Sequence, residues 1–173
     1  MPITGNLSKY LSGVGVEVGV WHGEGAKYMF EVCPGITKLY LVDPYDKAPE
    51  FNDCTLPPQG FKENAFKDAI TNAVKNTMKW SEKAWFIFAR TVEAVTTITE
   101  PLDFVYIDAN HNYEYVKQDC ELWYPKIKKG GILSGHDYRD IPASGVKKAV
   151  DEFIASKGLS LVEDVPDWWC IVK

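Results

Sequence analysis

Short apolar runs alternate with helix-forming segments along almost the whole chain, and this order constrains the fold more than any other feature. "VGVEVG" (14–19), "KLYLVDP" (38–44), "AWFIFA" (84–89), "LDFVYIDA" (102–109) and "GILSG" (131–135) read as strands. Between them lie segments of helical period. "HGEGAKYMFEVCPG" (22–35) puts Ala26, Met29, Phe30 and Cys33 on one face and stops at Pro34-Gly35. "FKENAFKDAITNAVKNTM" (61–78) carries an apolar stripe from Phe61 to Met78. "VEAVTTI" (92–98), "YEYVKQDCELWYPKIKKG" (113–130) and "GVKKAVDEFIASKG" (145–158) complete the set, the second with Lys126, Lys128 and Lys129 at its expected C-terminus and the third capped by Gly158. Runs that are apolar without alternation suit strands buried on both faces. Strands alternating with helices form a parallel sheet covered on both sides. The last two runs, "LSLVEDV" and "WWCIVK", are joined only through Val165-Pro166-Asp167. A parallel crossover needs about a dozen residues, so the last strand must run antiparallel to its neighbour. The expected fold is α/β, mostly parallel and doubly wound, with one domain over 1–173.

The 173 residues carry a net charge of −5, and Lys and Arg form no long run. A nucleic-acid partner is therefore not expected, since phosphate binding leaves a basic footprint. Cys33, Cys54, Cys120 and Cys170 make no C-x-x-C pair, which disfavours a zinc knuckle or a dithiol redox motif. "MPITGNLSKYLSG" lacks the apolar run of a signal peptide, and no stretch reaches membrane-spanning length. A reduced, cytoplasmic protein is the expectation.

In sheets of this kind ligands bind beyond the C-terminal ends of the strands. The first strand runs into Glu17-Val18-Gly19-Val20-Trp21-His22-Gly23-Glu24-Gly25. Glycines there let the backbone turn sharply and approach a ligand. The second strand ends in Asp43, where a carboxylate accepts from two ribose hydroxyls. The pattern after the first strand is G-x-x-x-G-x-G, not the G-x-G-x-x-G of a pyrophosphate site, which argues against a nicotinamide-dependent oxidoreductase. Glu17 and Glu24 would repel a pyrophosphate. They suit a nucleoside ligand with positive charge and no phosphate, and S-adenosylmethionine, with its sulfonium and ammonium, meets that description. The alternative is a glycine-rich turn that serves packing alone.

Taken together, "VEVGVWHGEG", "LYLVDP", "FVYIDANHNYEYVKQDCELWYPKIKKGGILSGHDY" and "GVKKAVDEF" resemble the class I S-adenosylmethionine-dependent methyltransferases, in the branch similar to macrocin-type and catechol-type O-methyltransferases. The resemblance runs from about Val14 to the end, and "IDANHNYEYVKQD…GGILSGHDY" is its most specific part. It implies a Rossmann-like, doubly wound, seven-stranded sheet. It also implies that Glu17, Gly19 and Gly23 line the methionine end of the cofactor, that Asp43 holds the ribose, and that Thr91 supplies a hydroxyl after the third strand. Arg90 stands where the family tends to have an acid that contacts the adenine amine. Trp21 either packs on the cofactor or belongs to the core.

Asp108 closes the fourth strand and Asp137 follows the fifth, so both carboxylates face one rim. Metal-dependent relatives hold magnesium with acids at these places, with His136 here as a softer neighbour; otherwise the carboxylates hold cofactor and helix N-termini. Asp108 and Asp137 also count among the catalytic candidates, and Asp108 among the cofactor-binding ones. His111, three residues on, can take the proton of an acceptor hydroxyl or simply order the loop. His22 reads as a turn residue. Tyr45, Phe51 and Tyr138 are candidate walls, in or beside the proline-rich 44–60 loop and the 138–144 stretch. The expected activity is methyl transfer to a hydroxyl of a small sugar-like or catechol-like acceptor, in a chain that can form a homodimer. A non-catalytic cofactor-binding module and a metal-dependent hydrolase are the alternatives.

Overall fold

A computed structural model describes residues 3–46, 53, 64–142 and 144–173. The strands are β1 (Gly13–Val18), β2 (Ile36–Val42), β3 (Ala84–Ile87), β4 (Leu102–Ile107), β5 (Ile127–Gly135), β6 (Val162–Asp164) and β7 (Asp167–Ile171). The helices are α1 (Glu24–Val32), α2 (Ala65–Thr77), α3 (Thr91–Thr97), α4 (Tyr113–Trp123) and α5 (Val146–Lys157). They build the Rossmann-like, seven-stranded sheet in the order β3-β2-β1-β4-β5-β7-β6. The first five strands pair in parallel. β7 enters between β5 and β6, antiparallel to both, as the short link before it requires.

Alternation along each strand divides the core. Val16, Val18, Val105, Ile107 and Leu133 face the side packed by α3, α4 and α5, with Trp123 and Phe153 in that layer. Leu39, Leu41, Phe104 and Tyr106 face the side packed by α1, α2 and an N-terminal segment that buries Ile3, Leu7 and Leu11. The parallel pairing sets Val18 opposite both Val42 and Ile107. The C-terminal ends of β1, β2 and β4 therefore open on one rim.

Two expectations need adjustment. The segment 113–130 is not one helix. α4 ends at Trp123, a 3-10 turn covers Tyr124–Lys126, and β5 begins at Ile127. Pro125 has no amide to donate to the Glu121 carbonyl, so the α-helical ladder breaks there, and the chain makes the 3-10 turn before turning extended at Ile127. Lys128 and Lys129 thus lie exposed in β5 and not at a helix terminus. β3 and β6 form the two sheet edges and are not buried on both faces; Trp85 and Phe88, at the β3 edge, stand in solvent. Phe61, expected in α2, lies outside the described residues, as does Phe51.

Candidate active site

The turn after β1 is built by contact with its neighbours. Gly19 has φ +88°, and a Cβ there would stand 2.1 Å from the Asp108 carbonyl oxygen, so only glycine passes the end of β4. Asp43 reaches back from the end of β2. Its Oδ2 accepts from the Val20 and Trp21 amides at 3.0 and 2.9 Å, and its Oδ1 accepts from the Tyr45 amide at 2.8 Å. Burial raises its pKa, and the three backbone donors oppose that rise. The Tyr45 hydroxyl donates to the Trp21 carbonyl at 2.8 Å, which commits Tyr45 to the turn. Gly23 precedes α1 with φ +74°, pressed by Ala73 of α2. His22 binds α2, its carbonyl accepting from Asn76 Nδ2 at 2.9 Å and its Nδ1 lying 3.1 Å from Asn72 Nδ2.

Glu17 is buried on β1 and points across Gly25, where a Cβ would meet its Oε1 at 2.2 Å. Its Oε2 is buried with no hydrogen-bond partner. Burial, then the charges of Asp108 and Asp43, push the Glu17 pKa well above the usual carboxylate range. A buried carboxylate without a partner is costly, and a cationic ligand relieves that cost. Both the orphaned oxygen and the glycine passage fit the cationic end of S-adenosylmethionine.

A cleft of about 590 Å³ runs from this turn past Asp43 to the N-terminus of α3 and the face of α4. That volume suits a nucleoside-sized ligand. Trp21, Thr91 and Asp108 all line it. The Thr91 hydroxyl accepts from Trp123 Nε1 at 2.6 Å and is hydrogen-bonded to Asp119, which is almost fully buried. Burial pushes the Asp119 pKa up to about 7, the Thr91 bond opposing it. Arg90 Nη2 lies 3.5 Å from Asp46.

On the other side of Asp108 the rim carries the imidazole. His111 Nδ1 lies 2.9 Å from Asp53 Oδ2, which also accepts from the His111 amide at 2.9 Å. His111 Nε2 lies 2.8 Å from Asp137 Oδ2. Asp137 adopts φ +57°, a left-handed conformation that Asp tolerates, and this places its carboxylate near both histidines. His136 is buried, with Nδ1 3.1 Å from Asp137 Oδ2 and 3.8 Å from Asp108 Oδ1. Burial alone would lower the His111 pKa. Bonds to Asp137 and Asp53 reverse that and push it up to about 10, away from the neutral range of an ordinary histidine. The hydrogen bonds from His111 and His136 hold Asp137 well below the usual carboxylate range.

These shifts make the cluster a stability element with a defined pH window. The Asp137 contribution is present above the unfolded carboxylate pKa and is lost only in strong acid. The His111 contribution is complete below its unfolded value of 6.5 and is lost as the pH rises through about 10. The calorimetric melting temperature should decline across that interval. His111→Ala should remove the decline, and an equal slope in both proteins would assign it to other groups.

A cation set also exists on geometry, because ligand atoms of Asp108, His111 and Asp137 lie within 4.8 Å of one another. His111, not His136, would be the third donor. The set does not fit magnesium, which takes oxygen donors and retained waters, whereas here one of the three donors is an imidazole nitrogen already bonded to Asp137 at 2.8 Å. No catalytic step is therefore assigned to magnesium.

Two site residues carry weaker sequence signals. Asp53 sits in a proline-rich stretch without periodicity and is invisible before folding. Asp119 was readable, since it interrupts the buried stripe of Val116, Cys120 and Trp123. Of the candidate walls, Tyr45 and Tyr138 turn inward, the Tyr138 hydroxyl donating to Asp151 Oδ1 at 2.6 Å.

A sequence model described as "Methyltransferase domain" matches residues 16–138, which spans the turn, Asp43 and the whole histidine–aspartate rim. The chain belongs to the methyltransferase domain family. This methyltransferase domain is of class I, dependent on S-adenosylmethionine, and the dinucleotide alternative falls away with the missing phosphate turn. A curated relative, uncharacterized protein R132 of Acanthamoeba polyphaga mimivirus, is 26% identical over 141 residues, 81% of this chain and 58% of its own length. The chain thus spans less than two thirds of that relative. Among solved structures, the O-methyltransferase NovP superposes with TM-score 0.65 at 20% identity, over 95% of this chain and 74% of NovP. A putative rRNA-methylase from Clostridium thermocellum gives TM-score 0.65 at 12% identity, over 95% and 91% of the two chains. Both share the fold of the methyltransferase domain. No described helix is long and apolar enough to cross a membrane.

Proposed function

We propose that the protein transfers a methyl group from S-adenosylmethionine to a hydroxyl of a small molecule. The observation that carries this reading is the Asp53–His111–Asp137 array on the rim of the cofactor cleft. Bound S-adenosylmethionine supplies a methyl group on a positively charged sulfur. Glu17 offers its unpartnered carboxylate to the cationic end, and Asp43 its remaining lone pairs to the ribose. Asp53 fixes the ring through Nδ1, in the manner of an orienting carboxylate behind a catalytic imidazole. Nε2 is then the working nitrogen. An acceptor hydroxyl that takes the place of the Asp137 contact can hand its proton to Nε2, while Asp137 stays close enough to stabilise the imidazolium. Orientation of acceptor and donor in such a cleft is worth about 7–11 kcal/mol.

Charge favours a small, uncharged or cationic acceptor. Among the described residues lining the cleft there are seven acidic side chains against one arginine and one histidine. A polyanion such as RNA would meet net repulsion there. The test is transfer of a labelled methyl group to a panel of sugars, catechols, amines and an RNA fragment, with and without a chelator. Transfer to a hydroxyl compound, undiminished by the chelator, is expected. Transfer to RNA or amines alone would overturn the reading, and activity that disappears in chelator and returns with magnesium would restore the cation.

A further inference from the structure

We infer that Asp119 is the residue by which this protein selects adenine as the base of its cofactor. The inference rests on the S-adenosylmethionine reading above. A nucleoside cofactor has its parts in a fixed order. With the cationic end at Glu17 and the ribose at Asp43, the base falls in the remaining third of the cleft. We place it at the side of the cleft lined by Ala89, Arg90, Thr91 and Val92, at the start of α3, and by Gln118 and Asp119 of α4. Adenine presents a 6-amino donor, so its partner must be an acceptor. Arg90 carries only donors on its side chain and lies beside Asp46. The Thr91 hydroxyl is committed, since it accepts from Trp123 Nε1 and so points its proton at Asp119. Gln118 is exposed, whereas Asp119 is 4% exposed. A buried acceptor discriminates more strongly than an exposed one, because water cannot replace the missing bond.

Asp119 is well prepared for this task. It stands on α4, a regular helix, one turn before Trp123, whose indole is fully buried. The relay from Trp123 Nε1 through the Thr91 hydroxyl holds its carboxylate. Thr91 thus acts as a positioning residue for Asp119, while the base meets the carboxylate itself.

Isothermal titration can test this without any turnover. The ligands are S-adenosylhomocysteine and its purine analogue with hydrogen in place of the 6-amino group. The wild type should bind the analogue roughly 10–100-fold more weakly, the scale of leaving a buried acceptor without its hydrogen bond. In Asp119→Ala, checked for folding by circular dichroism, the two ligands should bind alike. Equal binding of both ligands by the wild type would overturn the assignment, and that result needs no variant. A preference that survives intact in folded Asp119→Ala would also overturn it. Failure of the wild type to bind S-adenosylhomocysteine at all would remove the cofactor reading and this inference with it. Binding without discrimination would remove only the role of Asp119.

Discussion

Replacing His111 by alanine is expected to lower kcat by about 10²–10⁴-fold, the range for loss of a general base. Affinity for S-adenosylhomocysteine should hardly change, because Glu17, the glycine turn and Asp43 lie on other elements. The pH profile carries the sharper statement. Two carboxylates push the His111 pKa up to about 10, so the form able to accept a proton is scarce at neutral pH. In the wild type, kcat/KM should climb by about tenfold per pH unit from neutrality towards that value, since kcat/KM reports the free enzyme. His111→Ala should lack the climb. A variant that keeps its turnover but melts earlier would identify His111 as the residue that ties Asp53 to Asp137 after β5, with no part in the chemistry.

The second large effect is expected at Asp43. Its carboxylate holds three backbone amides of two separate segments and lines the cleft, where we propose that it takes the ribose. Asp43→Ala removes the ribose partner and releases the Val20–Trp21 backbone together. Titration should show S-adenosylhomocysteine binding roughly 100-fold more weakly, about 2.7 kcal/mol, within the scale for losing hydrogen bonds to a charged acceptor. Asp43→Asn should fall between, because an amide oxygen can serve one of the two sides but not both. Unchanged affinity in Asp43→Ala would mean that the ribose is held elsewhere and that Asp43 serves the turn alone. NAD and NADP should give no binding heat with any of these proteins.

The elements of this fold depend on residues a few positions apart, and these the sequence determines. Apolar runs, Pro34-Gly35, Gly158 and the short Val165-Pro166-Asp167 link specify strands, stops and the reversed last strand. Parallel strands end on one rim, so Glu17, Gly19, Asp43, Asp108 and Asp137 could be named from their places at strand ends. Local pattern failed first at Pro125, where a helical period continued on paper but the missing amide ends the α-helical ladder. It failed more deeply for the chemistry. The proton affinity of His111 is set by Asp53 and Asp137, which lie 58 and 26 residues away along the chain. Asp119 becomes a buried acceptor only when α4 packs against Thr91 and the sheet. Only the tertiary structure decided these, because burial and electrostatic interaction depend on distance in space, and the chain order does not contain that distance.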